Sequence, residues 1–419
     1  ERIGLVPRYR QKIRMVPGRL ANPVWVDDPD FDITYHVRRS ALPKPGTYDQ
    51  LKELMGRVES RPLDRTRPLW ELYLVEGLEG GKIAIITKTH HVMVDGITSI
   101  DITSVLFDIT PEPRATPSQP WEPAPEPSAV RLVGGAVADL VRRPAELVES
   151  ARAGVVAGVT DARRFLGGLT RELGGLAAAA RTQAHPTPSS PLNVPIGEQR
   201  RYGMARTELD DYKRVRKAHG GTVNDVVLAT VSGALRTWLL TRGEPVTSTT
   251  TLRAMVPVSV RGPNDKAQGN HVSSYFVDLP IGEPDPVVRL QHVTYAMAAH
   301  KHSNQAVGAQ AIIGLAGFAP PTIHALAARV GSSLSRRIFN LVVTNVPGPQ
   351  FPLYAAGARM LEMYPVVPLA KGQAVSIGLT SYDGGVYYGL LADRDAMPDV
   401  DVLGQCIEEA LVELVDTVH

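Results

Sequence analysis

The chain reads as an α/β protein, with two layered domains each built on a mixed sheet. Three observations predict this. Strand and helix patterns mix without a strict βαβ rhythm, which favours mixed sheets. The 419 residues are 43% hydrophobic and 21% charged, an ordinary globular composition long enough for two cores. A proline-rich interval over residues 111–128 has few apolar anchors apart from Trp121, which is linker composition. The division that follows is an N-terminal domain over residues 1–110, a Pro-rich linker with crossover helices over 111–195, and a C-terminal domain over 196–419.

Residues 1–46 read as irregular and basic, carrying Arg8, Arg10, Lys12, Arg14 and Arg19. Trp25-Val26 and Phe31-Asp32-Ile33 suggest short extended pieces. Tyr48 to Val58 has Leu51, Leu54, Met55 and Val58 at helical spacing. Pro68 to Val75 is a strand pattern. Glu79-Gly80-Gly81 turns the chain into Lys82 to Lys88, a second strand rich in β-branched residues. Beyond the first linker, Val133, Val137, Leu140 and Val141 recur at helical spacing and predict a crossover helix. Arg142-Arg143 beside that apolar face also fits a membrane-docking helix.

The second domain opens near Gln199. A strand ends at Arg206 to Leu209, a helix runs from Asp210 to about His219, and Gly220-Gly221 closes it. Val226 to Leu240 is a long apolar helix, with Thr222 or Asn224 as its cap. Strands follow at Thr251 to Val258, Val272 to Leu279 and Leu341 to Val346, with a helix from Pro286 to Lys301. Ser303 to Ala328 is free of charge but interrupted by Pro320-Pro321, and reads as two buried helices. Ala374 to Tyr382 and Val386 to Ala392 form a hairpin around Asp383-Gly384-Gly385. Val400 to Val415 closes the chain as an amphipathic helix.

The chemistry points to Thr89-His90-His91-Val92-Met93-Val94-Asp95-Gly96. The pair of histidines ends a strand, just before an Asp-Gly turn signal and a helical pattern running through Val105 and Leu106. Neutral imidazole is the side chain suited to taking a proton near neutral pH. Successive strand residues point to opposite faces, so His90 and His91 do not share a task. The same geometry argues against a metal site made of His90, His91 and Asp95.

His90-His91-x-x-x-Asp95-Gly96 resembles the HHxxxDG motif of the chloramphenicol acetyltransferase-like superfamily. Further segments resemble the wax ester synthase/diacylglycerol acyltransferase family: Pro68-Leu69-Trp70, Asn224-Asp225, Pro257-Val258-Ser259-Val260-Arg261, Gly269-Asn270 and Asn345-Val346-Pro347-Gly348-Pro349. They run in that family's order over nearly the whole chain. Members carry further sequence ahead of the point where Glu1 stands, which leaves the partner of Asp95 open.

The resemblance implies two chloramphenicol acetyltransferase-like domains with a tunnel between them, and an acyl-CoA-dependent O-acyltransferase making wax esters or triacylglycerol. His91 is the implied general base, acting without a metal or a permanently bound cofactor, since acyl-CoA is a co-substrate. The implied partners are long-chain acyl-CoA and a fatty alcohol or diacylglycerol. The protein is expected in the cytoplasm, at the periphery of the inner membrane or of lipid droplets. A carrier-protein-dependent condensation-type enzyme and a non-catalytic lipid-binding relative are the alternatives.

Each motif residue also has a packing reading. Pro68-Leu69-Trp70 reads as packing: Pro68 starts a strand and Trp70 fills a core. Asp95 and Gly96 hold the loop. Asn224-Asp225 opens a helix, where a carboxylate suits the positive end of the dipole. Asn345 ends a strand before the rigid turn at Pro347. Asn270 is open between oxyanion donor and turn residue. Arg261 could pair with Asp95, meet a CoA phosphate or lie solvated. A net charge of +2 gives no argument for a nucleic-acid partner. The single cysteine, Cys406, excludes an internal disulfide framework and fits a reducing compartment. The opening Glu1-Arg2-Ile3-Gly4-Leu5 lacks the pattern of a signal peptide.

Overall fold

The computed structural model describes residues 2–17, 23–93, 105–115, 120–134, 187–259, 272–302 and 338–418. Its first part opens with an antiparallel pair, β1 (Gln11–Arg14) and β2 (Val24–Asp27). A short helix α1 (Ile33–His36) leads into β3 (Val37–Ala41), then α2 (Tyr48–Glu59), β4 (Trp70–Leu78) and β5 (Lys82–Thr89). These strands form a three-stranded sheet in the order β3-β4-β5, with β3 parallel and β5 antiparallel to β4. α2 begins with a capping box. Thr47 accepts from the Gln50 N–H, and the Gln50 side chain returns a bond to the Thr47 N–H.

The second part contains β6 (Arg200–Glu208), α3 (Leu209–His219), α4 (Val223–Thr241), β7 (Leu252–Ser259), β8 (Val272–Leu279) and α5 (Pro286–His302). It continues with β9 (Leu341–Pro347), the small pair β10 (Tyr354–Ala355) and β11 (Ala358–Arg359), β12 (Val375–Tyr382), β13 (Gly385–Asp393) and α6 (Val400–Val415). Six of these strands form one mixed sheet in the order β6-β13-β12-β9-β7-β8. β7, β9 and β12 are parallel, and the other neighbours are antiparallel.

Period-two alternation decides what each face of this sheet carries. Val375, Ile377 and Leu379 of β12, with Val386, Tyr388 and Leu390 of β13, join Val226, Leu235, Leu403 and Ile407 in the main core under the helices. The opposite residues meet the first domain. Tyr202 and Leu391 pack with Leu51, Met55 and Val58 of α2 and with Val75, Leu78 and Ile86 of the smaller sheet. α2 is therefore shared between two sheets. Its Gly56 lies against β6, where a Cβ would stand 2.6 Å from the Arg200 carbonyl oxygen. The Ser60 hydroxyl at the end of α2 accepts from the Arg200 N–H at 2.9 Å. β13 is buried along its whole length because both its faces are covered.

A strip between β11 and β12 crosses the same face. Gly378 and Gly389 are paired across β12 and β13, and a Cβ on Gly389 would lie 1.8 Å from the Pro365 carbonyl oxygen. Only glycine admits a backbone this close. Tyr202 Oη donates to that carbonyl at 2.9 Å. Glu362 at the head of the strip accepts from Tyr48 Oη at 3.0 Å, and Lys82 donates to the same hydroxyl at 3.0 Å. The strip thus ties the two sheets together.

Two expectations over the first 46 residues change: the segment is not irregular but carries β1, β2, α1 and β3, and one piece read as extended is helical. Phe31-Asp32-Ile33 is not an extended piece: Asp32 caps α1, accepting from the Thr34 N–H at 2.9 Å, so Ile33 starts a helical turn. The proline-rich linker is irregular over residues 120–128, and it lies against the β1–β2 pair. Arg10 stacks over Trp121 at 4.4 Å, Asp27 accepts from the Ala124 N–H at 3.0 Å, and Arg14 pairs with Glu126 at 3.2 Å. Arg10 and Arg14 thus hold the linker, whereas Arg8 stacks on Trp25 and Lys12 pairs with Asp28 within the first segment.

The cap of α4 is Thr222, not Asn224. Thr222 accepts from the Asp225 N–H, and Asp225 accepts from the Thr222 N–H at 2.8 Å. Thr222→Ala is expected to cost about 1 kcal/mol, and Thr222→Ser to retain most of the stability. Chemical denaturation of the two variants checks this. Among the described residues no helix is long and apolar enough to cross a membrane. The crossover helix beyond residue 134, the apolar run from 303 to 328 and the helix expected from residue 97 to 104 lie outside the described residues.

Candidate active site

β5 ends at Thr89, opposite Trp70 of β4. The pairing continues one residue further, where the His90 N–H donates to the Leu69 carbonyl at 3.0 Å. The chain then tightens into a 3-10 turn over His91–Met93, closed by the Met93 N–H on the His90 carbonyl at 2.8 Å. The Val92 N–H reaches His90 Nδ1 at 3.3 Å. That nitrogen is therefore an acceptor, and the proton of the neutral ring sits on Nε2. Met93 anchors the far end of the turn, buried with Leu69, Trp70 and Leu72.

Lys88 stands two residues before His90, near the end of β5. Its Nζ donates to the Val58 carbonyl at 2.7 Å and to the Arg61 carbonyl, and so satisfies the end of α2. Burial pushes the Lys88 pKa down against the nearby Glu59 and Glu71 carboxylates. Burial also raises the Glu59 pKa against the attraction of Lys88 and Arg200. The strand bearing the histidines is thus bound to α2 within two residues of them.

Pro68-Leu69-Trp70 is the support beneath this corner. Leu69 is 3% exposed and Trp70 2%. Trp70 Nε1 donates to the Tyr9 carbonyl at 2.7 Å, and the Tyr9 ring meets the indole edge-on. The other side of the indole stacks on His36, with ring centroids 4.6 Å apart and planes 15° apart. His36 is buried, and its Nδ1 lies 2.8 Å from the Trp70 carbonyl oxygen. A carbonyl only accepts, so Nδ1 carries the proton. Burial pushes the His36 pKa below the usual histidine range, opposed by the carbonyl bond and by Glu71 and Asp28. Sequence reasoning missed His36. Asp32 followed by Thr34 was the available signal for the turn that presents it.

The second domain brings two further motifs together. Asn345 Nδ2 donates to Asn224 Oδ1 at 3.3 Å, across 121 residues of sequence. Of the Asn224-Asp225 pair, Asp225 serves the helix cap and Asn224 meets the end of β9. Pro347 is the last residue of β9, and the following Gly348 N–H donates to the Ser381 carbonyl at 3.0 Å. Ser259 and Val272 pair at the same edge of the sheet. Arg261 and Asn270, in the connection between those two, lie outside the described residues, as do Asp95, Gly96 and the side chain of His91. The structure therefore joins Leu69 to His90 and Trp70 to Thr89 beside it, and Asn224 to Asn345.

The fold agrees with that of known proteins. A wax ester synthase/diacylglycerol acyltransferase from Marinobacter aquaeolei VT8 superposes with a TM-score of 0.66 at 26% identity, covering 97% of this chain and 85% of that one. The starter condensation domain of rhizomide synthetase shares the fold at a TM-score of 0.53 and 13% identity, over 100% of this chain and 84% of that one. The architecture is that of two-domain, chloramphenicol acetyltransferase-like proteins.

In sequence, residues 1–227 match the wax ester synthase/diacylglycerol acyltransferase catalytic domain, and residues 268–415 match the WS/DGAT C-terminal domain. The probable diacylglycerol O-acyltransferase tgs1 of Mycobacterium tuberculosis is 36% identical over 99% of this chain and 86% of its own length. The corresponding tgs2 is 35% identical over 97% and 87%. The chain belongs to the wax ester synthase/diacylglycerol acyltransferase family, and it is an acyltransferase.

Proposed function

We propose that the protein transfers a long-chain acyl group from acyl-CoA to the hydroxyl of a fatty alcohol or a diacylglycerol, with His91 as the general base. One observation carries the reading: an HHxxxDG motif follows the last residue of a strand, in a chain whose two parts match that family. His91 removes the proton of the acceptor hydroxyl, and the oxygen attacks the thioester carbonyl. The tetrahedral oxyanion collapses, the carbon–sulfur bond breaks, and the CoA thiolate takes the proton back from His91. The base activates the acceptor directly, so no acyl-enzyme is needed.

Asn270 is assigned as the oxyanion donor, a role worth about 3–4 kcal/mol in enzymes where it has been measured. Asp95 holds the loop, with Arg261 as its partner or as a contact for a CoA phosphate. Acyl-CoA enters as a co-substrate, and the two substrates approach along an apolar tunnel between the domains. Such substrates place the enzyme in the cytoplasm, against the inner membrane or a lipid droplet.

CoA release from palmitoyl-CoA tests the reading with hexadecanol and with diolein as acceptors. Turnover dependent on either acceptor is expected. Transfer only from a carrier-protein thioester would make the chain a condensation-type enzyme. Lipid binding without any turnover would make it a non-catalytic relative.

A further inference from the structure

We propose that His36 is a positioning residue for acyl transfer. Its Nδ1–H holds the Leu69-Trp70 corner from which the histidine turn is suspended. This inference rests on the reading of His91 as the base. The corner has two backbone carbonyls facing opposite sides of β4. The Leu69 carbonyl faces β5 and accepts the His90 N–H at 3.0 Å. The Trp70 carbonyl faces the β3 side, where α1 has replaced the strand and, among the described residues, no backbone N–H takes it. The His36 imidazole supplies the donor instead, at 2.8 Å.

The ring is held for this task. Phe31 stacks on it at 5.3 Å with planes 19° apart, and Trp70 stacks at 4.6 Å. Tyr35 meets it edge-on at 5.1 Å. His36 is 1% exposed, so water does not replace its bond to the carbonyl. Losing the donor strands a buried acceptor at the residue following Leu69. Any shift of Leu69 moves the His90 backbone, and with it the first residue of the turn, His91. Small misplacements of a reacting group cost rate far more than they cost binding.

The test compares His36→Asn with His36→Gln. The Asn amide nitrogen can occupy the Nδ1 position and donate to the Trp70 carbonyl, whereas the longer Gln places its amide nearer the Nε2 position. The Asn variant is expected to keep kcat within about threefold of the parent. The Gln variant is expected to lose at least about tenfold in kcat with KM little changed. Hydrogen exchange of the peptide spanning residues 88–93 should quicken in the Gln variant and stay slow in the Asn variant. Both are measured on protein shown to be folded by its unfolding transition.

Equal kcat in the two variants would overturn the proposal, and so would a loss in which KM alone rises. If the Gln variant does not fold, the Asn variant decides: a tenfold loss of kcat, or fast exchange at residues 88–93, rejects the role. His91→Ala runs alongside. Full turnover by that variant defeats the base assignment while leaving the exchange result to stand on its own.

Discussion

His91→Ala is expected to lower kcat by about two to four orders of magnitude, the range that a positioned general base supplies. The fold should be unaffected, because the turn around His91 is held by backbone bonds from His90 and Met93 and by the buried Met93 side chain. His90→Ala should cost less. Its ring Nδ1 is already engaged by the Val92 N–H, and its backbone bond to Leu69 survives the substitution. Steady-state CoA release, with thermal unfolding of both variants, separates the two roles. Full turnover by His91→Ala would end the assignment. A larger loss in His90→Ala than in His91→Ala would exchange the histidines.

The second large effect is on stability. Trp70→Ala removes a nearly fully buried indole that joins Tyr9 to His36 at the start of β4. The expected cost is about 3–5 kcal/mol, the usual range for emptying a large aromatic site. That is a large share of the roughly 5–15 kcal/mol holding most domains folded. Trp70→Phe should lose less, since it keeps much of the packing and forfeits the 2.7 Å bond to the Tyr9 carbonyl. Denaturant midpoints of both variants measure this. A Trp70→Ala midpoint equal to the parent's would show that the corner is carried elsewhere.

Much local structure was legible where a short-range rule applied, the capping turn at Asp32 and Thr34 being the exception. The β-branched run of β5, the Asp383-Gly384-Gly385 turn between β12 and β13 and the periodicity of α6 all announce themselves within a window of ten or so residues. The strand order was not legible, because β13 lies between β12, its sequence neighbour, and β6, which enters the chain far earlier. Nothing local to Arg206 indicates Tyr387 as its partner in the ladder.

The site divides in the same way. The spacing of His90, His91, Asp95 and Gly96 marked one loop, and motif order joined it to distant segments. Yet the contact between Asn224 and Asn345, and the bond between His90 and Leu69, are tertiary facts. His36 escaped notice because an isolated histidine after Tyr35 looks like any other until the fold lays it on Trp70. The opening segment showed only that it is basic, and nothing local to Arg10 or Arg14 indicates Trp121 and Glu126 as their partners.

The strip under Gly378 and Gly389 bears on the order in which the molecule can be completed during synthesis. Tyr48 and Lys82 find Glu362 only after the ribosome has added much of the chain, since Tyr48 and Glu362 are 314 residues apart. At roughly 5–20 residues per second, that is a wait of about 15–60 s. Through that interval Leu51 and Met55 lack Leu391, which completes their core. The smaller sheet, although made first, therefore keeps part of its apolar face uncovered until β13 has been added.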